Sequence, residues 1–329
     1  MNNLFPNNRV YTLDGGFSNT IESLGVCLHP KLWTGLCVHD HYKEVVKTHQ
    51  AFVRSGADIV TTSTYQMSFE GYQSENFNKE DSIKFMRSAI KAAREGSTNS
   101  SNSSSDSDSK SKVKVAISVG PYGAILADGS EYTGAYAFEY GAMEKLKSFH
   151  YERLLALQST DDHDDGGDLY ACETIPCINE CKAIIHALQE SNAINQLPVY
   201  LSLSIKDNKT LNSDESLDEA VRVIEELTSG YDIGIGINCC SPSVVEEALI
   251  TIRNANTSKN RVLLAYPNLG ETWDASDRDW KSNSGINIKE YSNYVNRWID
   301  AGARIIGGCC RTTPEYISAV NEIINQNRK

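Results

Sequence analysis

The chain has 329 residues, 40% hydrophobic and 22% charged, an ordinary globular composition that excludes wholesale disorder and allows a large core without covalent staples. A formal charge of −12 argues against a nucleic-acid or anionic-membrane partner. The first eight residues carry neither a basic flank nor an apolar run, and no later stretch approaches the ~20 apolar residues of a membrane span, so a cytoplasmic protein is expected.

Short apolar, β-branched runs alternate with stretches of helical period. In chain order the runs are Val10–Asp14, Asp58–Tyr65, Val113–Val119, Asp168–Glu173, Val199–Ile205, Ile233–Cys239, Val262–Tyr266 and Arg304–Gly308. Helical stretches follow at Tyr42–Ser55, Ser82–Glu95, after Tyr140, Asn179–Glu190, Leu217–Thr228, Val244–Asn254, Ile288–Ala301 and Pro314–Asn325. The connections are too long for hairpins and the runs are apolar on both faces, which predicts parallel strands with helical crossovers. Eight such units make a single (β/α)8 barrel over residues 1–329, with its active site at the C-terminal strand ends. An open doubly wound sheet is the competing architecture, but the first run leads into Leu13-Asp14-Gly15-Gly16-Phe17, which is not a dinucleotide-binding G-x-G-x-x-G turn.

Two polar segments interrupt the pattern. Gly96–Lys112, rich in Ser, Asn and Asp, reads as a disordered insert on the barrel face away from chemistry. Thr160–Asp168 reads as a second solvated acidic loop, not as a metal site.

Nine cysteines without a secretory signal point to free thiols that serve packing, metal binding or nucleophilic chemistry. Two adjacent pairs lie at strand ends, in Gly236-Ile237-Asn238-Cys239-Cys240 and Gly307-Gly308-Cys309-Cys310-Arg311. In a closed barrel these ends converge over one opening, where three thiolates suit a tetrahedral zinc with a fourth position open. Neighbouring cysteines on an extended strand point to opposite faces, so two of them can share a metal only if the strand breaks there, and Gly307-Gly308 is expected to supply that freedom. Burial as small hydrophobes is the other reading. Cys172, Cys177 and Cys181, with Cys27 and Cys37, match no ligand spacing and are expected to pack; His39 and His41 read as a polar loop pair. Two acids also end strands: Asp14 and Glu173 could hold a substrate ammonium, act as bases, or cap helices.

Together Asp14-Gly15-Gly16, Gly236-Ile237-Asn238-Cys239 and Gly307-Gly308-Cys309-Cys310 resemble the zinc-dependent homocysteine S-methyltransferases, which are (β/α)8 barrels. Ser118–Ala124 with Leu126–Gly134, and later Tyr266–Asp274, are similar to members that use S-methylmethionine or S-adenosylmethionine, and less so to the betaine enzymes. The resemblance implies one Zn2+ per chain on Cys239, Cys309 and Cys310. It leaves a choice between Cys239 and Cys240, because the family more often has Thr or Ser after the first cysteine. It further implies that Asp14 and Glu173 contact the amine of L-homocysteine. Gly15 and Asn238 join them as substrate-binding positions, with backbone N–H groups of the glycines facing the substrate carboxylate. The implied reaction is attack of a metal-held homocysteine thiolate on the methyl of a sulfonium, giving methionine. Tyr65, Tyr122 and Trp273 are candidates to face the donor sulfonium. The rivals are a betaine- or selenocysteine-directed methyltransferase on the same scaffold, or a structural zinc site closed by Cys240 as the fourth thiolate.

Overall fold

In a computed structural model the chain is described at residues 9–98, 112–158, 166–256, 258, 261–270, 273–274, 279–280 and 285–327. Eight parallel strands form one sheet: β1 (Tyr11–Thr12), β2 (Ile59–Thr61), β3 (Lys114–Val119), β4 (Leu169–Ile175), β5 (Val199–Ser204), β6 (Ile233–Asn238), β7 (Leu263–Tyr266) and β8 (Ala303–Ile306). Sequence neighbours pair from β2 to β8, and β8 returns to pair with β1. A parallel bridge between Leu13 and Ile59, with the Asp14 N–H donating to Ile59 O at 3.1 Å and the Asp58 N–H to Thr12 O at 2.8 Å, joins β1 to β2. The result is the expected (β/α)8 barrel.

One long helix follows each strand: α1 (Tyr42–Arg54), α2 (Lys79–Thr98), α3 (Ala142–Leu157), α4 (Ile178–Glu190), α5 (Leu217–Leu227), α6 (Pro242–Ala255), α7 (Ile288–Ala301) and α8 (Pro314–Asn327). α7 begins with a capping box in which Asn287 accepts from the Glu290 N–H and Glu290 accepts from the Asn287 N–H, which satisfies two helix-end donors. A short antiparallel ribbon, Trp273–Asp274 with Asp279–Trp280, lies between β7 and α7. Among the described residues no helix is long and apolar enough to cross a membrane.

Strand alternation divides the core into two layers. Leu13, Ile59, Ala116, Leu169, Ala171, Tyr200, Leu264 and Ile305 fill the barrel interior, while Tyr170, Cys172, Ile233, Ile235, Ile237 and Ile306 face the helices. The inward positions of β6 at Gly234 and Gly236 leave room: a Cβ on Gly234 would lie 3.0 Å from Tyr200 Cβ, and one on Gly236 only 2.2 Å from Leu264 O. Continuing each inward row to its C-terminal end brings Thr61, Ser118, Glu173, Asn238 and Tyr266 to one face.

Several expected boundaries move. The run Asp58–Tyr65 is a strand only over Ile59–Thr61, and the pairs at the ends of β6 and β8 lie beyond their strands. Residues 96–98 are not part of a loop but the last turn of α2: Gly96 and Ser97 are buried, and a Cβ on Gly96 would lie 2.6 Å from His49 Cβ. The remainder of the insert, 99–111, lies outside the described residues, as do residues 159–165 of the acidic loop. Asp168 at the end of that loop is structural: its carboxylate accepts from Arg94 at 2.8 Å and from the Val115 N–H at 2.7 Å.

Candidate active site at the barrel mouth

A cavity of about 150 Å³ opens at the C-terminal strand ends. It is lined by both predicted acids, Asn238 and the three cysteines Cys239, Cys309 and Cys310. Among the described residues, these three are the one group of cysteine, histidine and acidic side chains placed to hold a metal ion, with all three sulfurs within 4.8 Å of one another. Cys239 Sγ lies 3.8 Å from Cys310 Sγ.

The backbone explains how adjacent cysteines escape strand alternation. Cys239 directly follows β6 with a left-handed φ of 53°, which turns its thiol into the cavity. Cys240 is thereby directed into the helix-facing core. Burial there raises its thiol pKa, as expected of a packed neutral cysteine. Cys239 therefore joins the cluster and Cys240 stays outside it. At the other pair, β8 ends at Ile306, and Cys309 and Cys310 follow in a turn. Gly307 and Gly308 act here by close approach, since neither has a positive φ. A Cβ on Gly307 would lie 2.6 Å from Asp14 O, and one on Gly308 would lie 2.1 Å from Thr312 Oγ1. The Gly308 N–H donates to Asp14 O and the Cys309 N–H to Pro267 O, both at 2.9 Å, which seats the thiols against β1 and β7.

Asp14 does not cap the helix that follows it. Its carboxylate accepts from the Thr61 N–H at 2.6 Å and from Thr61 Oγ1 at 2.9 Å. Glu173 accepts from Ser118 Oγ. Both acids are buried, and among the described residues no lysine, arginine or histidine lies within ion-pair distance of either. Burial therefore pushes Asp14 up to about 8 against its Thr61 hydrogen bonds, and Glu173 up to about 7 against that from Ser118. A cation placed beside two such buried carboxylates would stabilise their ionised forms.

The match to known proteins agrees with this geometry. The family model described as homocysteine S-methyltransferase matches residues 11–324. The chain belongs to the homocysteine S-methyltransferase family. It is 34% identical to homocysteine S-methyltransferase 2 of Arabidopsis thaliana, over 96% of this chain and 93% of that one. It is 33% identical to the selenocysteine Se-methyltransferase of Brassica oleracea var. italica, over 96% and 89%. Among solved structures it resembles the metallated form of the homocysteine methyltransferase MmuM from Escherichia coli, with a TM-score of 0.78 and 28% identity over 95% of this chain and 96% of that one.

This methyltransferase has a donor set suited to a metal. A tetrahedral ion with metal–sulfur bonds of about 2.3 Å sets its sulfurs about 3.8 Å apart, the spacing found between Cys239 and Cys310. Hydrogen bonds from the Cys309 and Cys310 thiols hold the Cys239 pKa well below the ordinary thiol value, and theirs are raised. Cys172, Cys177 and Cys181 are fully buried away from the cluster, and burial raises their pKa values.

The other expected positions divide. Asn238 lines the cavity, but its amide is engaged: Oδ1 accepts from the Thr174 N–H at 2.9 Å, and Nδ2 donates to Thr174 Oγ1 at 2.8 Å and approaches Cys309 Sγ at 3.9 Å. Gly15 and Gly16 also line it. Their lack of side chains serves packing against the turn after β8, since a Cβ on Gly15 would lie 2.3 Å from Thr312 O. The Gly16 N–H donates to that same oxygen at 2.9 Å, so it is not offered to a substrate. Tyr65 lines the cavity. Tyr122 does not; it packs with Tyr136 and Phe149. The side chain of Trp273 lies outside the described residues.

Sequence reasoning passed over Trp33, Glu131 and Tyr132, all of which line the cavity. Tyr132 Oη lies 3.4 Å from Cys239 Sγ. Glu131 and Tyr132 belong to the Leu126–Gly134 stretch, whose family likeness was visible, but no periodicity carries a loop side chain to a place.

Proposed function

We propose that this methyltransferase holds one Zn2+ per chain on Cys239, Cys309 and Cys310 and transfers a methyl group from S-methylmethionine to the thiol of L-homocysteine, forming methionine. The observation that carries the reading is the pairing, in one cavity, of a three-thiol cluster with two buried carboxylates that lack a protein cation. All-sulfur tetrahedral ligation favours zinc among the common divalent ions.

A free thiol has a pKa of about 8.5, so little thiolate exists at neutral pH. Zinc, when bound, supplies the Lewis acidity that keeps a substrate thiol deprotonated. The chain's own groups do the rest. Asp14 and Glu173 receive the homocysteine ammonium and so fix the amino-acid end relative to the sulfur cluster. Thr61 and Ser118 orient those carboxylates. Asn238 holds the left-handed Thr174 at the end of β4 and fixes the wall beside Cys309. With the substrate sulfur held as a thiolate, the methyl transfer itself would move no proton and would need no general base from the chain.

S-adenosylmethionine is a second donor of the same chemistry, its reacting group also being a sulfonium. Selenocysteine is a second acceptor, favoured by the likeness to a selenocysteine Se-methyltransferase. The reading is tested by incubating reduced, zinc-loaded protein with homocysteine and each donor in turn, then with selenocysteine. Methionine should form fastest from S-methylmethionine. No product from either sulfonium donor would sink the reading.

A further inference from the structure

Asp14 and Glu173 are not the only acids in the mouth. Glu131 lines the same cavity from a single turn of 3-10 helix, Ser130–Tyr132, in the connection between β3 and α3. Left-handed glycines flank the turn, Gly129 at φ 82° and Gly134 at φ 67°. Its backbone lies against the short helix after β3, where a Cβ on Gly123 would meet Glu131 N at 2.5 Å. The next residue, Tyr132, reaches Cys239 Sγ. Glu131 is thus held in the wall of the cavity that contains the sulfur cluster, by a packed backbone.

Its carboxylate differs from the other two. Asp14 and Glu173 accept hydrogen bonds from strand-end residues, whereas the Glu131 carboxylate has a hydrogen bond from its own backbone N–H and keeps one oxygen, Oε2, buried with no partner. Among the described residues, no lysine, arginine or histidine lines the cavity. Burial lifts Glu131 to about 7. A buried carboxylate oxygen left without a partner is costly, and a cationic ligand beside it offsets that cost. The homocysteine ammonium is already met by Asp14 and Glu173 in that reading, which leaves the donor's two cations, and of these only the sulfonium has to come to the sulfur cluster for transfer.

We propose that Glu131 is the counter-charge for the sulfonium of the methyl donor. This rests on the methyl-transfer reading above. In the transfer, a lone pair of the acceptor sulfur forms the new S–CH3 bond while the donor's C–S bond breaks. The breaking pair stays on the donor sulfur, which loses its positive charge and leaves as a neutral thioether. Glu131 therefore attracts the donor before transfer and has no charge to hold afterwards. Its contribution falls on donor binding more than on the chemical step, and it favours exchange of spent thioether for fresh sulfonium.

The test uses zinc-loaded Glu131→Gln and Glu131→Asp, with zinc content as the check on the fold. Donor KM at saturating homocysteine should rise about tenfold or more in Glu131→Gln, with kcat within about threefold and homocysteine KM unchanged. Calorimetric titration with trimethylsulfonium, which has no ammonium, should show weaker binding in the same variant, and Glu131→Asp should restore part of both. An unchanged donor KM with unchanged trimethylsulfonium binding overturns the assignment. So does an equal rise in homocysteine KM, which marks a merely structural loop residue. If the wild-type protein methylates nothing, the methyl-transfer reading fails, and the trimethylsulfonium titration still decides the role of Glu131.

Discussion

Asn238 and Thr174 are tied to each other at two points: the Asn238 amide oxygen accepts the Thr174 N–H at 2.9 Å, and its amide nitrogen donates to Thr174 Oγ1 at 2.8 Å. The pair bridges the ends of β4 and β6, next to Glu173 on one side and Cys239 on the other. Thr174 has a φ of 61°, a conformation unfavourable for a β-branched residue, so the surrounding contacts must hold it there. Asn238→Ala leaves the buried Thr174 N–H unpaired, which costs about 1–3 kcal/mol. The expected outcome is a lower melting temperature together with a higher homocysteine KM, because Glu173 is the preceding residue. Asn238→Asp retains the acceptor and should recover part of the stability. An Asn238→Ala protein with unchanged melting temperature would show that the bridge holds nothing.

Metal content should follow the cluster, residue by residue. Cys239→Ala, Cys309→Ala and Cys310→Ala should each lose zinc and activity when the reduced proteins are assayed by metal analysis. Cys240→Ala, Cys172→Ala and Cys181→Ala should keep near-stoichiometric zinc, since those thiols pack in the core. Gly308→Ala should behave like a ligand variant although it changes no thiol, because its Cβ would collide with Thr312. Full zinc in Cys309→Ala, or lost zinc in Cys240→Ala, would overturn the ligand assignment.

Asp14 and Glu173, which have no protein counter-charge, should contribute to the pH dependence of stability. Each has a folded pKa raised above its unfolded value, from 3.8 to about 8 for Asp14 and from 4.5 to about 7 for Glu173. Between those limits the folded state binds more protons than the unfolded state, so stability falls as pH rises through the window. Thermal denaturation of the substrate-free protein should show this decline. Asp14→Asn and Glu173→Gln should each flatten it, and should melt above the wild type near pH 8. A steeper decline in either variant would refute the assignment.

The same two variants should lose homocysteine affinity. Removing one carboxylate from a buried ammonium site costs several kcal/mol, so homocysteine KM should rise about a hundredfold or more while zinc content stays intact. The donor KM should change little. A homocysteine KM that is unchanged in both variants, with the fold intact, would remove Asp14 and Glu173 from the substrate site.

The Ser-rich insert offers a boundary test. Deleting 100–110 should leave activity and melting temperature nearly unchanged, because the segment starts beyond α2 and joins β3 at the end of the barrel opposite the cavity. A deletion that begins at Ser97 should lower the melting temperature. Ser97 is buried, and its Oγ donates to Arg94 O at 2.7 Å, so cutting there removes part of the last turn. Equal melting temperatures for the two deletions would show that this turn contributes nothing.

The barrel was legible in the sequence because its signal is periodic. Apolar runs of strand length separated by helical stretches admit few architectures, and alternation within each run assigns inward and outward faces. Glu173 and Asn238 sit on the inward rows of β4 and β6, so their arrival in the cavity follows from strand register alone. The same rule could have named Thr61, Ser118 and Tyr266, at the inward ends of β2, β3 and β7. What it could not reach lies after the strands stop, where backbone angles replace periodicity. Whether Cys239 or Cys240 joins the cluster depends on one left-handed φ, and whether Gly16 offers its N–H to a ligand depends on the carbonyl of Thr312, nearly three hundred residues away. Glu131 enters the cavity and Tyr132 reaches Cys239 from a loop with no period at all. The residues themselves determined a parallel barrel with thiols and acids at its mouth. Only the tertiary structure decided which of them meet, because contacts between loops are set by the closing of the ring and not by any pattern within one segment.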